Sequence, residues 1–513
     1  MTTSQQTEPA IKKPFIILIV VCIVAVCGIV YELLISTAAS YLLGDSVKQF
    51  SIIIGIYMSS MGVGAYLTKF INNKLLEKFI IVEIVLSIIG GISVLGIFWF
   101  FSLGGIFFVF VLYFLTVVIG ILVGLEIPLV MRIMEKTFNL KDNVANVLAY
   151  DYIGGLIGSI AFPLILLPGL GIMRTSILIG GLNLLSALWL IVKIKEFPFR
   201  SRYLIITVIF TICLIVGFIY AKPISNYLEQ NFYRDQIVYS MQTPYQKVVV
   251  TKYKNDIRLF IDGNLQFSSL DEYRYHEGIV HIPASFSPNL EKVLVLGGGD
   301  GLAARELLKY KSIKNITLVD LDAKLLDLFK NDKLLTSLNN KSLKNKKVKV
   351  YSKDGLSFLK EDETFYDLII VDLPDPRTPE LSNLYNKQFY DLVQKRLSKT
   401  GIMVTQATSP FFARDAFWCI AETVKESFPY SSQFHINVMS FGDWGFIIGS
   451  KIPVENRIDD IKIDVETRYL DSKLAKNAFL FGKDVIKPED IEINTLFSPV
   501  LVEYYKKGWA SWE

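Results

Sequence analysis

The chain has 513 residues, a formal net charge of +4 and only 20% charged side chains, so nucleic acid, which requires a large basic excess, is excluded as a partner. Its mean hydropathy of +0.41 is too high for a soluble enzyme of this length and indicates a membrane part. The four cysteines and three histidines lack any metal-ligand spacing, so we expect neither a zinc site nor a disulfide framework.

Almost all of the apolar excess lies before residue 222, in seven segments that each approach the length of a membrane-spanning helix. We predict these helices at 15–43, 47–69, 79–101, 103–131, 144–167, 171–193 and 203–221. A cleaved signal peptide is the alternative for the first segment, but its apolar run is too long and six more segments follow. The predicted division is therefore a tail at 1–14, a membrane domain at 15–221 and a polar linker at 222–231.

Four carboxylates lie within or at the edges of the predicted membrane helices, where an ionisable group is costly: Glu32, Glu83, Glu126 and Asp151. Two interpretations are open. The carboxylates could line a cavity that attracts cations, or they could pair with basic side chains and fix helix contacts. Glu126 precedes Pro128 and Arg132, an order compatible with a kinked helix and an internal ion pair. We favour paired charges, because the sequence alone identifies no cationic ligand for a cavity.

From residue 232 the pattern becomes that of a soluble domain of about 280 residues. Alternating residues and an Asp-Gly turn predict a small antiparallel sheet at 236–267, followed by a helix at 271–284, within a region that extends from 232 to 288. An α/β domain at 289–513, with a C-terminal extension, should come next. Its strands are predicted at 293–296, 316–319, 348–351, 368–371 and 402–406.

The central motif of this domain is VLVLGGGDG at 293–301, a buried strand followed at once by a glycine turn and a helical pattern. This order is typical of nucleotide-binding α/β sheets, where glycine lets the backbone approach a ligand closely. Leu302 occupies the place of the usual third fingerprint glycine. The turn alone is therefore a weak signal.

Acidic residues follow four successive predicted strands, and the carboxyl ends of parallel strands meet at one edge of a sheet. The residue after the second strand, about 20 positions past the turn, suits ribose hydroxyls, and the Asp-Gly pair after the third could reach a base. The remaining carboxylates exceed what a nucleotide needs and predict a cation, either a polyamine or a metal. Solvated loop carboxylates or helix caps are the alternative. These acidic residues are Asp300, Asp320, Asp322, Asp354, Asp372 and Asp375.

Taken together, these segments resemble the polyamine aminopropyltransferases, the spermidine synthase family, and in particular its transmembrane subgroup. The resemblance covers residues from about 232 to 450. The matching segments, besides the glycine turn, are TPYQ (243–246), DGNLQ (262–266), DEYRYHE (271–277), LVDLD (318–322), KDG (353–355), DLPDPRTPELSNLYNKQFY (372–390) and FGDWGF (441–446).

The resemblance implies a Rossmann-like, methyltransferase-type fold and aminopropyl transfer from decarboxylated S-adenosylmethionine to a polyamine such as putrescine. It implies no cofactor beyond that co-substrate and no metal, and it suggests a homo-oligomer such as a dimer. Asp372 would accept the proton. The donor would be held by Gln246, Gly297, Gly299, Asp320, Asp354, Gly355 and Pro379. The amine would be held by His276, Asp300 and Asp375. Leu373-Pro374 departs from the small hydroxyl residues of soluble members and leaves the exact amine open.

Two other functions compete with this expectation. A membrane-bound methyltransferase using S-adenosylmethionine would need the same donor residues but not an acidic acceptor pocket. A non-enzymatic polyamine transporter or sensor would carry a degenerate domain, against which the intact Asp372 and Asp375 argue.

Sidedness is predicted from two arguments that conflict. Basic residues before the first predicted helix and after the second, fourth and sixth place the N-terminus in the cytosol, so seven spans would put the catalytic domain outside. The donor, however, is a cytosolic metabolite. We expect a multi-pass protein of the cell membrane with a cytosolic catalytic domain, in which the fifth segment does not fully span; an external enzyme is the alternative. Ser342 is expected in a surface loop of that domain.

Overall fold

The computed structural model describes residues 14–43, 46–103, 107–135, 137–193 and 200–512, so that nearly all of the predicted tail lies outside the described residues. The chain divides into two compact units between Gln236 and Ile237. We call them the helical unit and the catalytic unit.

The helical unit is built from long apolar helices that pack through small residues. A Cβ atom on Gly124 would lie 2.1 Å from the Met61 carbonyl oxygen, and one on Gly154 would lie 2.2 Å from that of Cys22. These glycines therefore allow close helix contact, the role expected of small residues in helices of this kind. The α-helices are α1 (Pro14–Leu43), α2 (Ser46–Leu67), α3 (Leu75–Ser102), α4 (Phe107–Met134), α5 (Leu140–Ala161), α6 (Leu167–Lys193) and α7 (Arg200–Gln230).

Six helical stretches in the described part of the chain are long and apolar enough to cross a membrane, one fewer than the sequence predicts. The difference arises because α5 and α6 join through a π-helical segment, Phe162–Leu166, into one stretch of 54 residues, Leu140–Lys193. This stretch is broken at Gly171, where φ is 73° and ψ is 170°. Residues 222–230, predicted as a linker, instead continue α7.

The predicted ion pair between Glu126 and Arg132 does not form. The Arg132 guanidinium instead donates to the carbonyl oxygens of Thr68 (2.8 Å) and Ile71 (2.7 Å), at the short 3-10 turn Thr68–Phe70 that follows α2.

The catalytic unit begins with the predicted small sheet, which has four antiparallel strands in the order β1-β2-β3-β4. Their bounds are β1 (Gln236–Gln242), β2 (Lys247–Tyr253), β3 (Asp256–Ile261) and β4 (Asn264–Ser268). The Asp-Gly turn joins β3 to β4, with Asp262 and Gly263 both at positive φ.

A seven-stranded mixed sheet follows, in the order β10-β11-β9-β8-β5-β6-β7. Strands β5 to β9 are mutually parallel where they pair, and β11 lies antiparallel to both β9 and β10. The five predicted strands are thus confirmed, whereas β10 and β11 were not predicted. The strands are β5 (Lys292–Gly297), β6 (Asn315–Asp320), β7 (Val348–Ser352), β8 (Tyr366–Asp372), β9 (Leu397–Gln406), β10 (Tyr430–Val438) and β11 (Gly442–Ser450).

Helices cover both faces of this sheet, which explains the unbroken apolar run of β5. Val293 and Val295 pack into one core cluster, and Leu294 and Leu296 into another. The helices are α8 (Glu272–Phe286), α9 (Leu302–Leu307), α10 (Ala323–Asn331), α11 (Lys333–Leu338), α12 (Gly355–Glu361), α13 (Pro379–Ser382), α14 (Lys387–Arg396), α15 (Arg414–Ser427), α16 (Ser472–Asn477) and α17 (Leu501–Trp509).

One surface prediction is wrong. Ser342 is 1% exposed, and its hydroxyl donates to the carbonyl oxygen of Gly301 at 2.6 Å. The Gly301 carbonyl accepts this bond in addition to one from the Arg305 N–H, so Ser342 is bound to the glycine turn and is not at the surface.

Candidate active site

The chain order reverses at β5, whose neighbours are β6 on one side and β8 on the other. Ligands of open α/β sheets bind in the crevice beyond the strand ends at such a point. Gly297, the last residue of β5, pairs in register with Asp372, the last residue of β8. The glycine turn and the expected proton acceptor therefore lie side by side.

The glycine turn passes too close to its neighbours to carry side chains. A Cβ atom on Gly297 would lie 2.0 Å from the Asp372 carbonyl oxygen, and one on Gly299 would lie 2.6 Å from Asp320 Oδ2. Gly297 and Gly301 also have positive φ angles, of 84° and 76°. Leu302, the departure from the fingerprint, is fully buried as the first residue of α9 and belongs to the core.

Asp320 stands at the end of β6, directly against this turn. Its carboxylate accepts from the backbone N–H groups of Gly299 (3.1 Å) and Asp322 (2.9 Å). Burial raises the pKa of Asp320 to about 6, although these bonds act to lower it. The carboxylate predicted to bind the ribose is thus fixed beside the glycine turn.

Gln246 reaches the same strand end from the turn between β1 and β2. Its amide donates to Asp322 Oδ2 at 2.9 Å, and Asp322 also caps α10 by accepting from the backbone N–H of Lys324 at 3.0 Å. The fold therefore brings Gln246 next to the end of β6, where the resemblance places the donor site.

The other expected donor residues occupy helix starts. Asp354 caps α12 by accepting from the Ser357 N–H at 2.8 Å, and Gly355 is the first residue of that helix. Pro379 opens α13 after the capping residue Thr378. These local roles are the helix-cap alternative of the sequence analysis, and the donor contacts of these three residues stay predictions.

Asp372 lies half-buried in the crevice with a single defined orientation. The hydroxyl of Tyr275, on α8, donates to Asp372 Oδ1 at 2.7 Å. Burial raises the pKa of the Asp372 carboxyl, while the nearby His276 charge and the Tyr275 hydrogen bond act in the opposite direction. Asp372 is consequently a stronger base than a free aspartate.

Asp375 is held by two side chains that sequence reasoning missed. Gln406, at the end of β9, donates to Oδ1 at 3.2 Å, and the Tyr505 hydroxyl of α17 donates to Oδ2 at 2.9 Å. Burial raises the pKa of Asp375, and the Arg377 charge and both bonds oppose that rise. The rule of strand ends could have found Gln406; no signal marks Tyr505, which comes 130 residues later.

His276 supplies a positive charge to this acidic crevice. Its Nδ1 lies 2.8 Å from Glu272 Oε2, and Arg305 pairs with the same carboxylate at 2.8 Å. Burial lowers the pKa of His276, but Glu272 and the charges of Asp300 and Asp372 outweigh it and raise the pKa to about 9. The imidazole is therefore protonated at neutral pH.

Asp300 completes the acidic set. Its Oδ1 accepts from the Leu302 N–H at 2.9 Å. Burial raises its pKa to about 6, with Asp372 adding to the rise and His276 opposing it. The charges of Asp300 and Asp372 both act on the His276 cation. Together with Asp375 they give the crevice an excess of negative charge, which suits a cationic ligand.

This arrangement defines a class of protein: a Rossmann-like α/β fold whose glycine turn lies beside an acidic crevice at the carboxyl ends of the strands. The Spermine/spermidine synthase domain family matches residues 272–459. A polyamine aminopropyltransferase of Leptospira interrogans is 42% identical over 95% of this chain and 97% of its own length. One of Oceanobacillus iheyensis is 39% identical over 98% of this chain and 99% of its own length. The chain belongs to the polyamine aminopropyltransferase family.

Among solved structures, a spermidine synthase in complex with the transition state analogue AdoDATO aligns with a TM-score of 0.45 at 20% identity, over 54% of this chain and 89% of that one.

Proposed function

We propose that this protein transfers an aminopropyl group from decarboxylated S-adenosylmethionine to a polyamine such as putrescine, giving spermidine and 5′-methylthioadenosine. The observation that carries the proposal is the position of Asp372, between the glycine turn and the acidic crevice and oriented by Tyr275. Relatives of nearly full length that are named polyamine aminopropyltransferases support it.

The reaction needs a base before anything else. An alkylammonium has a pKa near that of lysine, about 10.4, and so carries no lone pair at neutral pH. Asp372 would accept one proton, directly or through water, and free the lone pair of the amine nitrogen. The raised pKa of Asp372 favours this transfer.

Carbon–nitrogen bond formation then accompanies carbon–sulfur cleavage. The amine nitrogen attacks the methylene carbon attached to the sulfonium, and the electron pair of the broken bond stays on sulfur as a neutral thioether. Because the leaving group departs uncharged, it needs no acid and no metal. Alignment of nitrogen, carbon and sulfur would supply most of the acceleration.

Binding roles follow from the same assignment. The donor would rest on Gln246, Gly297, Gly299, Asp320, Asp354, Gly355 and Pro379. The distal ammonium would bind Asp300 and Asp375, with His276 adjusting the charge of the crevice.

The test is Asp372→Asn, which keeps the shape of the side chain but removes its basicity. Turnover should fall by about 10²- to 10⁴-fold, as for loss of a general base. The assay follows 5′-methylthioadenosine release from decarboxylated S-adenosylmethionine with putrescine, spermidine and cadaverine. S-adenosylmethionine replaces the donor in a parallel reaction, so that methyl transfer would be detected.

Asp391→Asn is the matched control, because Asp391 is a half-exposed partner of Lys387 at 3.0 Å, and such surface pairs contribute little. Equal turnover of Asp372→Asn and the parent protein, with both folded, would contradict the proposed role.

We further propose a multi-pass protein of the cell membrane with a cytosolic catalytic unit, assembled as a homo-oligomer such as a dimer. The six long apolar stretches support membrane association. Six crossings would return the chain to its starting side, which the basic residues place in the cytosol. A cytosolic catalytic unit would also meet its donor directly.

A further inference from the structure

The helical unit contains a cluster of buried polar side chains that aminopropyl transfer does not use. It consists of Tyr31 on α1, Glu83 on α3, Glu126 on α4 and Asn183 on α6, which we call the Glu83 cluster. Glu126 is 5% exposed and the other three are 0% exposed. Four different helices thus direct polar atoms into the interior of the helical unit.

Contacts place these four residues together. The Asn183 amide nitrogen donates to the Glu83 carbonyl oxygen at 3.3 Å. The Glu83 and Glu126 carboxyls interact with each other, and both act electrostatically on the Tyr31 hydroxyl. The Tyr31 ring packs against Gly90, where a Cβ atom would lie only 2.4 Å from it.

The cluster offers several polar atoms without a protein partner in hydrogen-bonding geometry. They are both carboxyl oxygens of Glu83, Oε1 of Glu126, Oδ1 of Asn183 and the hydroxyl of Tyr31. Four of these five atoms are oxygens of carboxylate or amide groups, which accept hydrogen bonds. Such buried acceptors are costly unless a donor satisfies them.

Among the described residues of the helical unit, no basic side chain pairs with the two carboxyl groups. Within residues 14–43, 46–103, 107–135, 137–193 and 200–236, no lysine or arginine forms an ion pair with Glu83 or Glu126. Arg132, the expected partner, is occupied by backbone carbonyls. Paired charges, the interpretation favoured by the sequence, therefore do not explain this cluster.

We propose that the Glu83 cluster binds the ammonium group of a protonated alkylamine. One ammonium brings a positive charge to the two carboxyl groups and three N–H donors for the unpartnered oxygens. A metal ion fits less well, because the described residues hold no group of three or more histidine, cysteine, aspartate or glutamate side chains suited to one. The site belongs to the helical unit alone and does not depend on the catalytic crevice.

The test measures how many [¹⁴C]putrescine molecules the purified full-length protein binds in detergent at saturation, by equilibrium dialysis. The parent is compared with Glu83→Gln/Glu126→Gln, whose amides keep the volume but lose the charge. The matched control is Glu135→Gln, which changes an exposed carboxyl just beyond the end of α4. The double variant should bind one molecule fewer per chain than the parent and the control.

The difference in bound putrescine is measured without any turnover. The proposed amine site of the helical unit and the proposed aminopropyl transfer can therefore fail separately. If the catalytic crevice binds no amine, the count of the parent falls to one, but the loss in the double variant remains. An equal putrescine count in the parent and the double variant overturns the proposal. It does so even if the double variant takes up fewer protons than the parent on acidification, because the two carboxyl groups would then only titrate and would not bind amine. Binding of ²²Na⁺ that putrescine does not displace would overturn it as well.

Tyr31→Phe decides the question if the double variant does not fold, since it removes one hydroxyl and keeps the ring against Gly90. Affinity of the helical-unit site should fall by about 10- to 100-fold, as for loss of one hydrogen bond to a charged group. Unchanged affinity would overturn the proposal.

Discussion

At the residue scale, the crevice shows how one sequence keeps several carboxylates close together. Each carboxylate is fixed by a different donor: Asp372 by Tyr275, Asp320 by the Gly299 N–H, and Asp375 by side chains from β9 and α17. These bonds satisfy the buried oxygens and partly offset the repulsion between like charges. A cationic substrate would offset the rest.

Asp320→Ala should weaken binding of 5′-methylthioadenosine by about 10- to 100-fold, because hydrogen bonds from ribose hydroxyls to a carboxylate are charge-assisted. The measurement is calorimetric titration of the nucleoside, with the putrescine affinity as the internal reference. Unchanged nucleoside affinity would show that Asp320 does not hold the ribose.

The amine KM should depend on pH through Asp300. The folded-state pKa of this carboxyl is raised to about 6, so it is charged above pH 6 and becomes neutral as the pH falls through that value. A neutral Asp300 attracts ammonium less. The amine KM should therefore rise below pH 6, by at most about tenfold per pH unit for one proton. In Asp300→Asn the same rise should be absent; a parallel rise in both proteins would assign it to another group.

At the element scale, helix α17 contributes to the acidic crevice although it lies near the C-terminus. This nine-residue helix packs beside α15 and carries the Tyr505 hydroxyl to Asp375. Trp509, one turn later, stacks on Phe412 with ring centroids 5.3 Å apart, which anchors the helix. The C-terminal extension is thus part of the crevice wall.

Tyr505→Phe should raise the amine KM by about 3- to 10-fold, since it frees one oxygen of Asp375 and removes a charge-assisted hydrogen bond. The ring itself remains, so the thermal unfolding midpoint should move little. Steady-state kinetics with putrescine and spermidine give the readout. Tyr504→Phe, on the same helix, is the control, and an equal effect of both changes would attribute the result to helix packing.

At the scale of the whole molecule, the long stretch Leu140–Lys193 determines how many times the chain would cross the membrane. Its 54 residues would extend about 80 Å as a straight helix, far beyond the roughly 30 Å of a bilayer core. The break at Gly171 relieves this mismatch, and the Thr175 hydroxyl bonds there to the Leu166 carbonyl at 3.1 Å. One crossing by this stretch would give six in all and a cytosolic catalytic unit, whereas two crossings would place that unit outside.

A single cysteine at Ser312, with the native cysteines replaced, tests this directly. Ser312 is exposed in the turn between α9 and β6, unlike the buried Ser342. We expect no labelling of intact cells by a membrane-impermeant thiol reagent, and full labelling after the cells are opened. Labelling of intact cells would place the catalytic unit outside.

The sequence by itself determined the two-part architecture, the five parallel strands and the acidic residues at their ends. These features depend on local periodicity and on the rule that parallel strands end at one edge. Only the tertiary structure decided which side chains meet there. Tyr275 and Tyr505 reach Asp372 and Asp375 from helices 97 and 130 residues away, contacts that no local pattern encodes. The antiparallel strands β10 and β11 escaped prediction for a related reason, because the pairing of β11 with β9 and of β10 with β11 is a property of the assembled sheet rather than of either segment.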